Sequence, residues 1–214
     1  MTEAEWLSAT DACSLIGTAR ALVSARKCRL VTVALARRMY PIVTHPELAR
    51  GLAIAEQLAD ETANSTDTER AREFFGAMFY VGQYEDQGIR GEDMLLASII
   101  REALKPQVRR SRFIACLSDY IADRPENPQC GVPEARDIFG NPFRPVAFAP
   151  NWRTDTAVAL ARRMYESRDF SPMPILADAL QDAGCDNPHV LDHCRGPGPH
   201  SRGCWAVDLV LGKG

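Results

Sequence analysis

Residues 28–40 read CRLVTVALARRMY, and their apolar positions follow the spacing of an α-helix. Cys28, Val31, Leu35 and Met39 recur at steps of three and four residues, which places them on one helix face. A similar period marks residues 48–59, 74–79, 94–104 and 113–121. No run of alternating β-branched residues competes with it, apart from residues 204–212, which fit a helix better than a strand. The sequence therefore predicts an all-α fold, a helical bundle.

Residues 124–152 interrupt this pattern, because they contain six of the chain's 14 prolines. Proline removes a backbone N–H and restricts the residue before it, so we expect no helix to persist there. The segment is too apolar for a free linker, so we expect an irregular strap packed over the helices. The prediction is a helical region over 1–123, a proline-rich strap over 124–152 and a smaller helical region over 153–214.

One octapeptide, VALARRMY, occurs twice, at residues 33–40 and 158–165. Each copy is followed by a short link, a proline and an apolar helix. Two equivalent helical hairpins presenting paired arginines would explain the match, and so would two similar amphipathic helices in one bundle. We prefer the second interpretation, because helical composition readily produces such matches.

The tail between residues 185 and 205 is rich in cysteine and histidine, with three of the seven cysteines and three of the four histidines. Cys185, Cys194, His200 and Cys204 form a set of three thiolates and one imidazole that suits tetrahedral zinc. His189 or His193 could replace any member of the set. The spacing lacks the paired cysteines of a zinc finger, so packed core thiols are the competing interpretation.

The tail has two further interpretations. Cys194 beside His193 would suit a cysteine nucleophile, but adjacent helical residues point in different directions and no protease signature is present. Arg195 and Arg202 flank a Gly-Pro-Gly-Pro turn and are candidates for binding an anion, although a rigid connection between helices is the preferred interpretation of that turn. The sequence assigns no catalytic residue.

The composition limits the partners and the compartment. The 214 residues carry a net charge of −3 and a pI near 5.8, which disfavours nucleic acid. Two basic clusters, over 26–29 and 101–112, read as solvated helix faces. The acidic start resembles no export signal, and no apolar stretch reaches the length of a membrane span. We therefore expect a cytoplasmic protein with reduced cysteines and no membrane contact.

Several stretches carry a resemblance. MTEAEWL at 1–7, DIFGNPFRP at 137–145, LADAL at 176–180 and the ending from HCR at 193–195 through RGCW at 202–205 to LGK at 211–213 are similar to a family of uncharacterised bacterial proteins. The resemblance implies kinship and carries no activity, cofactor or site residue.

The leading hypothesis is a non-enzymatic helical adaptor that binds another protein, with a structural tail that holds either no cofactor or a structural zinc ion. It rests on the lack of paired acid/base carboxylates, a cofactor loop or a recognised nucleophile motif. The alternatives are a small metal- or cysteine-dependent enzyme that uses the tail, and a nucleic-acid-binding accessory protein.

Overall fold

The computed structural model describes residues 1–19, 24–40, 43–81, 89, 92–106 and 130–213. Within these ranges the chain forms α-helices, one short 3-10 helix and no β-strand, which confirms the predicted all-α class. None of the described helices combines the length and the apolar character that crossing a membrane requires. In chain order the helices are α1 (Glu3–Ser8), α2 (Ala12–Ala19), α3 (Ala25–Met39), α4 (Pro46–Ala59), α5 (Ser65–Val81), α6 (Glu92–Ala103), α7 (Val132–Phe139), α8 (Asp155–Ser167), α9 (Met173–Asp182), α10 (Pro188–Arg195) and α11 (Trp205–Leu211).

The helices divide between two compact units. The first unit is Thr10–Gly131, and the tail unit combines Met1–Ala9 with Val132–Gly214. This division differs from the predicted three regions, because α1 belongs with the residues after 131. The physical reason is Arg136 on α7, whose Nη2 donates hydrogen bonds to three carbonyls at the end of α1, those of Trp6, Leu7 and Ala9, over 2.8–3.0 Å.

In the first unit, α3, α4 and α6 pack against one another, and α5 packs on α4 and α6. The helices approach closely at Gly51 on α4, where a Cβ atom would lie 2.6 Å from Ile100 and 2.7 Å from the Phe75 ring. The buried Arg29 of α3 caps the C-terminal end of α6. Its Nε donates a hydrogen bond to the carbonyl of Ala103 at 2.7 Å, and its Nη2 donates one to the carbonyl of Lys105 at 2.8 Å. These contacts explain why the predicted helices over 28–40, 48–59 and 94–104 form one core.

In the tail unit, α9 packs on α8 and α10, and α11 packs on α7, α8 and α10. Thr154 caps α8 by accepting a hydrogen bond from the backbone N–H of Ala157, and Asn187 caps α10 in the same way. The ambiguous segment 204–212 forms α11, which ends at Gly212 in the left-handed region, with φ +67°. The tail unit therefore has its own helical core.

The prediction that no helix persists within 124–152 is wrong for α7. Pro133 lies in the first turn of this helix, where a missing N–H leaves no hydrogen bond unmade. The next proline, Pro142, follows the end of the helix, so two turns fit between them. Residues 140–149 are irregular, as the strap prediction has it, and Pro150–Trp152 form the 3-10 helix. Residues 124–129 lie outside the described ranges.

The two octapeptide copies lie in different units, the first in α3 and the second in α8. Both are helical, and both bury the same alanine completely, Ala36 and Ala161. Their ends differ, because α3 stops at Met39 whereas α8 continues to Ser167. The predicted helix over 113–121 lies outside the described residues, as do three arginines of the second basic cluster, Arg109, Arg110 and Arg112.

Candidate metal centre

Four donor side chains of the tail unit come together from α7, from α10 and from the link between α10 and α11. Asp137 lies on α7, His193 on α10, and Cys204 immediately before α11, while His200 lies in the link between the last two helices. The link turns back on itself at Gly198, whose φ of +80° suits glycine. A Cβ atom at Gly198 would also lie 3.0 Å from the backbone nitrogen of His200. Glycine at this position therefore allows the chain to return His200 and Cys204 to α10.

The four side chains form a group that could hold a metal ion. One potential ligand atom from each of Asp137, His193, His200 and Cys204 lies within 4.8 Å of all the others. His193 Nε2 is 3.1 Å from Cys204 Sγ and 3.3 Å from Asp137 Oδ1. His200 Nδ1 is 3.0 Å from the same carboxylate oxygen. Tetrahedral zinc, with bonds of about 2.0–2.3 Å, would separate its donor atoms by about 3.3–3.6 Å. The group thus needs only small movements to close around an ion of that size.

The group is secluded from solvent and carries negative charge. The side chains of Asp137, His200 and His193 are 2%, 8% and 20% exposed, and Cys204 is fully buried. Burial would raise the pKa of Asp137, but hydrogen bonds from both histidines and the Cys204 thiol outweigh it, so the pKa is lowered. Burial and the nearby Asp137 charge raise the pKa of the Cys204 thiol well above its usual range. A bound cation would reverse that shift, because a coordinating thiol is deprotonated.

Contacts around the group hold its members in place. Ser201 donates two hydrogen bonds to Asp137 Oδ2, from its backbone N–H and from its hydroxyl, both at 2.9 Å. The His193 ring packs against the rings of His200 and Trp205, each with a centroid separation of 4.9 Å. Trp205 in turn covers Gly140 at the end of α7. The outer contacts therefore fix the orientation of the donors, as metal sites commonly require.

The structure places the predicted metal ligands in two environments. His200 and Cys204 belong to the four-donor group, whereas Cys185 and Cys194 do not. Cys185 and Cys194 are 2% and 0% exposed and pack in the hydrophobic core of the tail unit. Burial raises the pKa of both thiols, that of Cys194 to about 12. Both therefore resemble packed core thiols.

Two members of the group were not in the predicted set. The sequence predicts His193 only as a substitute ligand, and its position near His200 in sequence is the available signal. Asp137 lies in the segment predicted to be an irregular strap, and no local pattern connects it with a tail more than 50 residues away. Its approach to the histidines depends on the packing of α7 against α11.

The two candidate anion-binding arginines have partners within the tail unit. Arg195 donates to Asp178 at 3.0 Å and to Gln181 at 2.6 Å. Arg202 lies over the Tyr165 ring, with its guanidinium carbon 4.6 Å from the ring centroid. The two arginines contact different residues, and these contacts do not form one shared anion-binding site.

The basic cluster over 26–29 is engaged within the first unit. Arg26 pairs with Asp60 at 3.1 Å, and Arg29 is buried against helix-end carbonyls. These side chains contribute to packing, so they do not form the exposed row of cations that phosphate contacts require.

Comparison of the chain with protein families, with curated proteins and with solved structures found no match.

Proposed function

We propose that this chain is a zinc-stapled, non-enzymatic helical protein. Asp137, His193, His200 and Cys204 are the proposed ligands of one structural zinc ion. The observation that carries the proposal is the convergence of four donors within 4.8 Å, one of which, Asp137, is distant in sequence from the other three. The donor types agree with zinc, which takes thiolate, imidazole and carboxylate ligands at closely similar distances.

The donor count favours a structural ion over a catalytic one. Four protein ligands complete a tetrahedral shell, whereas catalytic zinc sites keep one position for water or substrate. The ion would tie α7, α10 and the start of α11 together. This would strengthen a unit whose helices are mostly short, with seven or eight residues in α7, α10 and α11.

The non-enzymatic part of the proposal rests on the tail thiols. Cys194 is fully buried and its pKa is raised to about 12, which opposes a role as a nucleophile at neutral pH. A protein-binding role is supported by large apolar side chains on the surface of the tail unit. Leu7 is 57% exposed, Ile175 is 58% exposed and Phe143 is 37% exposed. We also propose a cytoplasmic location, where Cys204 would stay reduced, and kinship with the bacterial family that the sequence resembles.

Elemental analysis tests the zinc staple directly. Wild-type protein purified without a metal-affinity tag should carry about one zinc per chain, and Cys204→Ser and His193→Ala should lose it. Cys185→Ser is the matched control, because it removes another buried thiol of the same unit and should keep the zinc. Zinc-free wild-type protein after refolding with excess zinc would overturn the proposal, and so would equal zinc loss in Cys185→Ser and Cys204→Ser.

A cobalt substitution separates loss of the ligand from loss of the fold. Cobalt-loaded wild-type protein should show the visible bands of a tetrahedral ion and an absorption from thiolate-to-cobalt charge transfer. In Cys204→Ser that charge-transfer absorption should vanish while the circular dichroism remains helical. Its persistence in Cys204→Ser would contradict the assignment of this thiol.

The binding role has its own test. Chemical cross-linking in an extract of the source cells should link the wild-type tail unit to a partner through residues near Ile175. Ile175→Asp should lose that partner, while the exposed polar change Glu166→Gln on the neighbouring helix should retain it. The same cross-linked partners in wild type and Ile175→Asp would contradict this part of the proposal.

A further inference from the structure

A cavity of about 280 Å³ lies in the first unit, where α5 packs against the end of α6. Its volume is close to the lower limit of the range typical of ligand pockets, so a small organic molecule fits. The described lining comes from α5, from α6 and from the residues that follow α6, and consists of Arg72, Phe75, Gly76, Arg101 and residues 104–106.

The floor of the cavity is apolar. Phe75 and Leu104 line it, and each is only 1% exposed and belongs to the hydrophobic core of the first unit. Pro106 adds an apolar ring at an exposed position. An apolar ligand body that lies on this floor would be removed from water, which favours binding.

Gly76 leaves the space above the floor open. Glycine inside a helix is destabilising relative to alanine. Close packing explains Gly51, where a Cβ atom would meet Ile100 and Phe75 at 2.6 and 2.7 Å. At Gly76, by contrast, a Cβ atom would meet no atom of the described residues within 4 Å, apart from its own helix backbone and chain neighbours. Packing among the described residues therefore does not account for this glycine, whereas a cavity that has to stay open does.

The wall of the cavity is cationic. Three of its described lining residues are cations, Arg72, Arg101 and Lys105, and none of that lining is acidic. Glu102 pairs with Lys105. Glu69 is 64% exposed and lies 3.5 Å from Arg72 Nη1, and such an exposed ion pair contributes little. The lining therefore presents positive charge beside an apolar floor.

Arg72 is held where it can bind an acid. Its Nε donates a hydrogen bond to the carbonyl of Leu104 at 2.8 Å, and its side chain is 30% exposed. Because Leu104 also lines the cavity, this bond fixes the guanidinium at the cavity wall. A guanidinium binds a carboxylate through two parallel hydrogen bonds. Burial and, after it, the nearby charge of Arg72 lower the pKa of Arg29, so an anion here would also relieve repulsion between cations.

We propose that this cavity binds a small organic acid with an apolar body. The carboxylate pairs with the Arg72 guanidinium, and the body lies on Phe75 and Leu104. Gly76 leaves the room that the body occupies. The site belongs to the first unit and uses none of the proposed zinc ligands, so it goes beyond the zinc staple and does not depend on it.

Calorimetric titration of the full-length chain with 2-naphthoate tests the proposal. Naphthoate should bind one per chain. Its neutral counterpart 2-naphthamide has nearly the same shape and should bind at least about tenfold more weakly, because it lacks the charge that pairs with Arg72. Acetate keeps the charge and lacks the apolar body, so it should also bind at least about tenfold more weakly.

Two variants with matched controls locate the site. Gly76→Leu should fold and lose naphthoate binding, because its side chain fills the cavity. Gly17→Leu is its control, since a Cβ atom at Gly17 also meets no described atom within 4 Å and Gly17 does not line the cavity. Arg72→Lys should weaken binding about tenfold, because lysine keeps the charge and lacks the fork. Arg50→Lys alters another ion-paired arginine of the first unit, outside the cavity lining, and both controls should stay near wild-type affinity.

Each contrary result overturns the proposal. Wild-type protein that ignores naphthoate, or binds naphthamide or acetate equally well, has no such acid site. Wild-type affinity in Gly76→Leu places the naphthoate elsewhere. A Gly76→Leu chain that loses its helical circular dichroism contradicts the open space above α5. None of these results bears on the zinc content, which is measured separately.

Discussion

Replacing Asp137 by asparagine is the sharpest single perturbation of the proposed centre. Asparagine keeps the shape of the side chain and removes its charge. The carboxylate faces two histidine nitrogens through one oxygen and accepts two hydrogen bonds from Ser201 through the other. An amide NH₂ group would present a donor at one of these oxygens, so about two charge-assisted hydrogen bonds would be lost. At about 1.5–3 kcal/mol each, Asp137→Asn should destabilise the zinc-free tail unit by about 3–6 kcal/mol.

The tryptophans allow this change to be measured in the tail unit alone. All three of them, Trp6, Trp152 and Trp205, belong to that unit. Urea unfolding followed by tryptophan fluorescence therefore reports on the tail unit, whereas circular dichroism reports on helices of both units. The fluorescence transition of Asp137→Asn should move to lower urea concentration. Asp192→Asn, at an exposed position of α10, should change the free energy of unfolding by less than about 0.5 kcal/mol.

Adding zinc completes the experiment. Free zinc at a thousandfold excess over its dissociation constant should stabilise the wild-type tail unit by about 4 kcal/mol. Asp137→Asn should lose most of that gain, because it removes one metal ligand. The reasoning is refuted if the wild-type fluorescence transition is the same in zinc and in a chelator, or if Asp137→Asn costs no more than Asp192→Asn.

Three further predictions concern the packing of both units. Gly51→Ala should destabilise the first unit by about 1–3 kcal/mol through its clash with Phe75, and a circular-dichroism transition unchanged from wild type would contradict the close contact. Arg29→Met should cost about 3–5 kcal/mol in the same assay, since two helix-end carbonyls lose a charged donor, and a loss below 1 kcal/mol would show that water replaces it. Cys194 should react with iodoacetamide far more slowly in the native chain than in urea, because with a pKa of about 12 only about one thiol in 10⁵ is ionised at pH 7. The rate should rise with pH toward that value, and rapid labelling of native Cys194 at neutral pH would support the cysteine-enzyme alternative.

Local patterns were sufficient to predict most helices. The three- and four-residue spacing of Leu48, Leu52 and Ala55 reflects burial against one neighbouring surface, so the period predicts α4 and Pro46 predicts its start. The cap of α8 at Thr154 is equally local. The high proline density over 124–152 argues against any helix there, and only the position of Pro133 allows α7 to form. Pro133 lies in the first helical turn, where proline is tolerated.

The metal ligands could not be predicted completely from local sequence patterns. His193 and Cys194 are neighbours on α10, and successive helical residues point about 100° apart. Cys194 faces the hydrophobic core, so His193 is turned toward the link that carries His200. The cysteine count of the tail favoured a thiolate-rich set, but the orientation of α10 and the packing of α7 determine which side chains meet. The orientation of α10 and the packing of α7 are features of the tertiary structure, and the residue spacing within the tail does not predict them.

X-ray absorption at the zinc edge tests the central claim most directly. Coordination by Asp137, His193, His200 and Cys204 predicts one sulfur neighbour at about 2.3 Å and three nitrogen or oxygen neighbours at about 2.0–2.2 Å. Three sulfur neighbours and one nitrogen would contradict this account, because they would require Cys185 and Cys194 to bind the ion in place of Asp137 and His193.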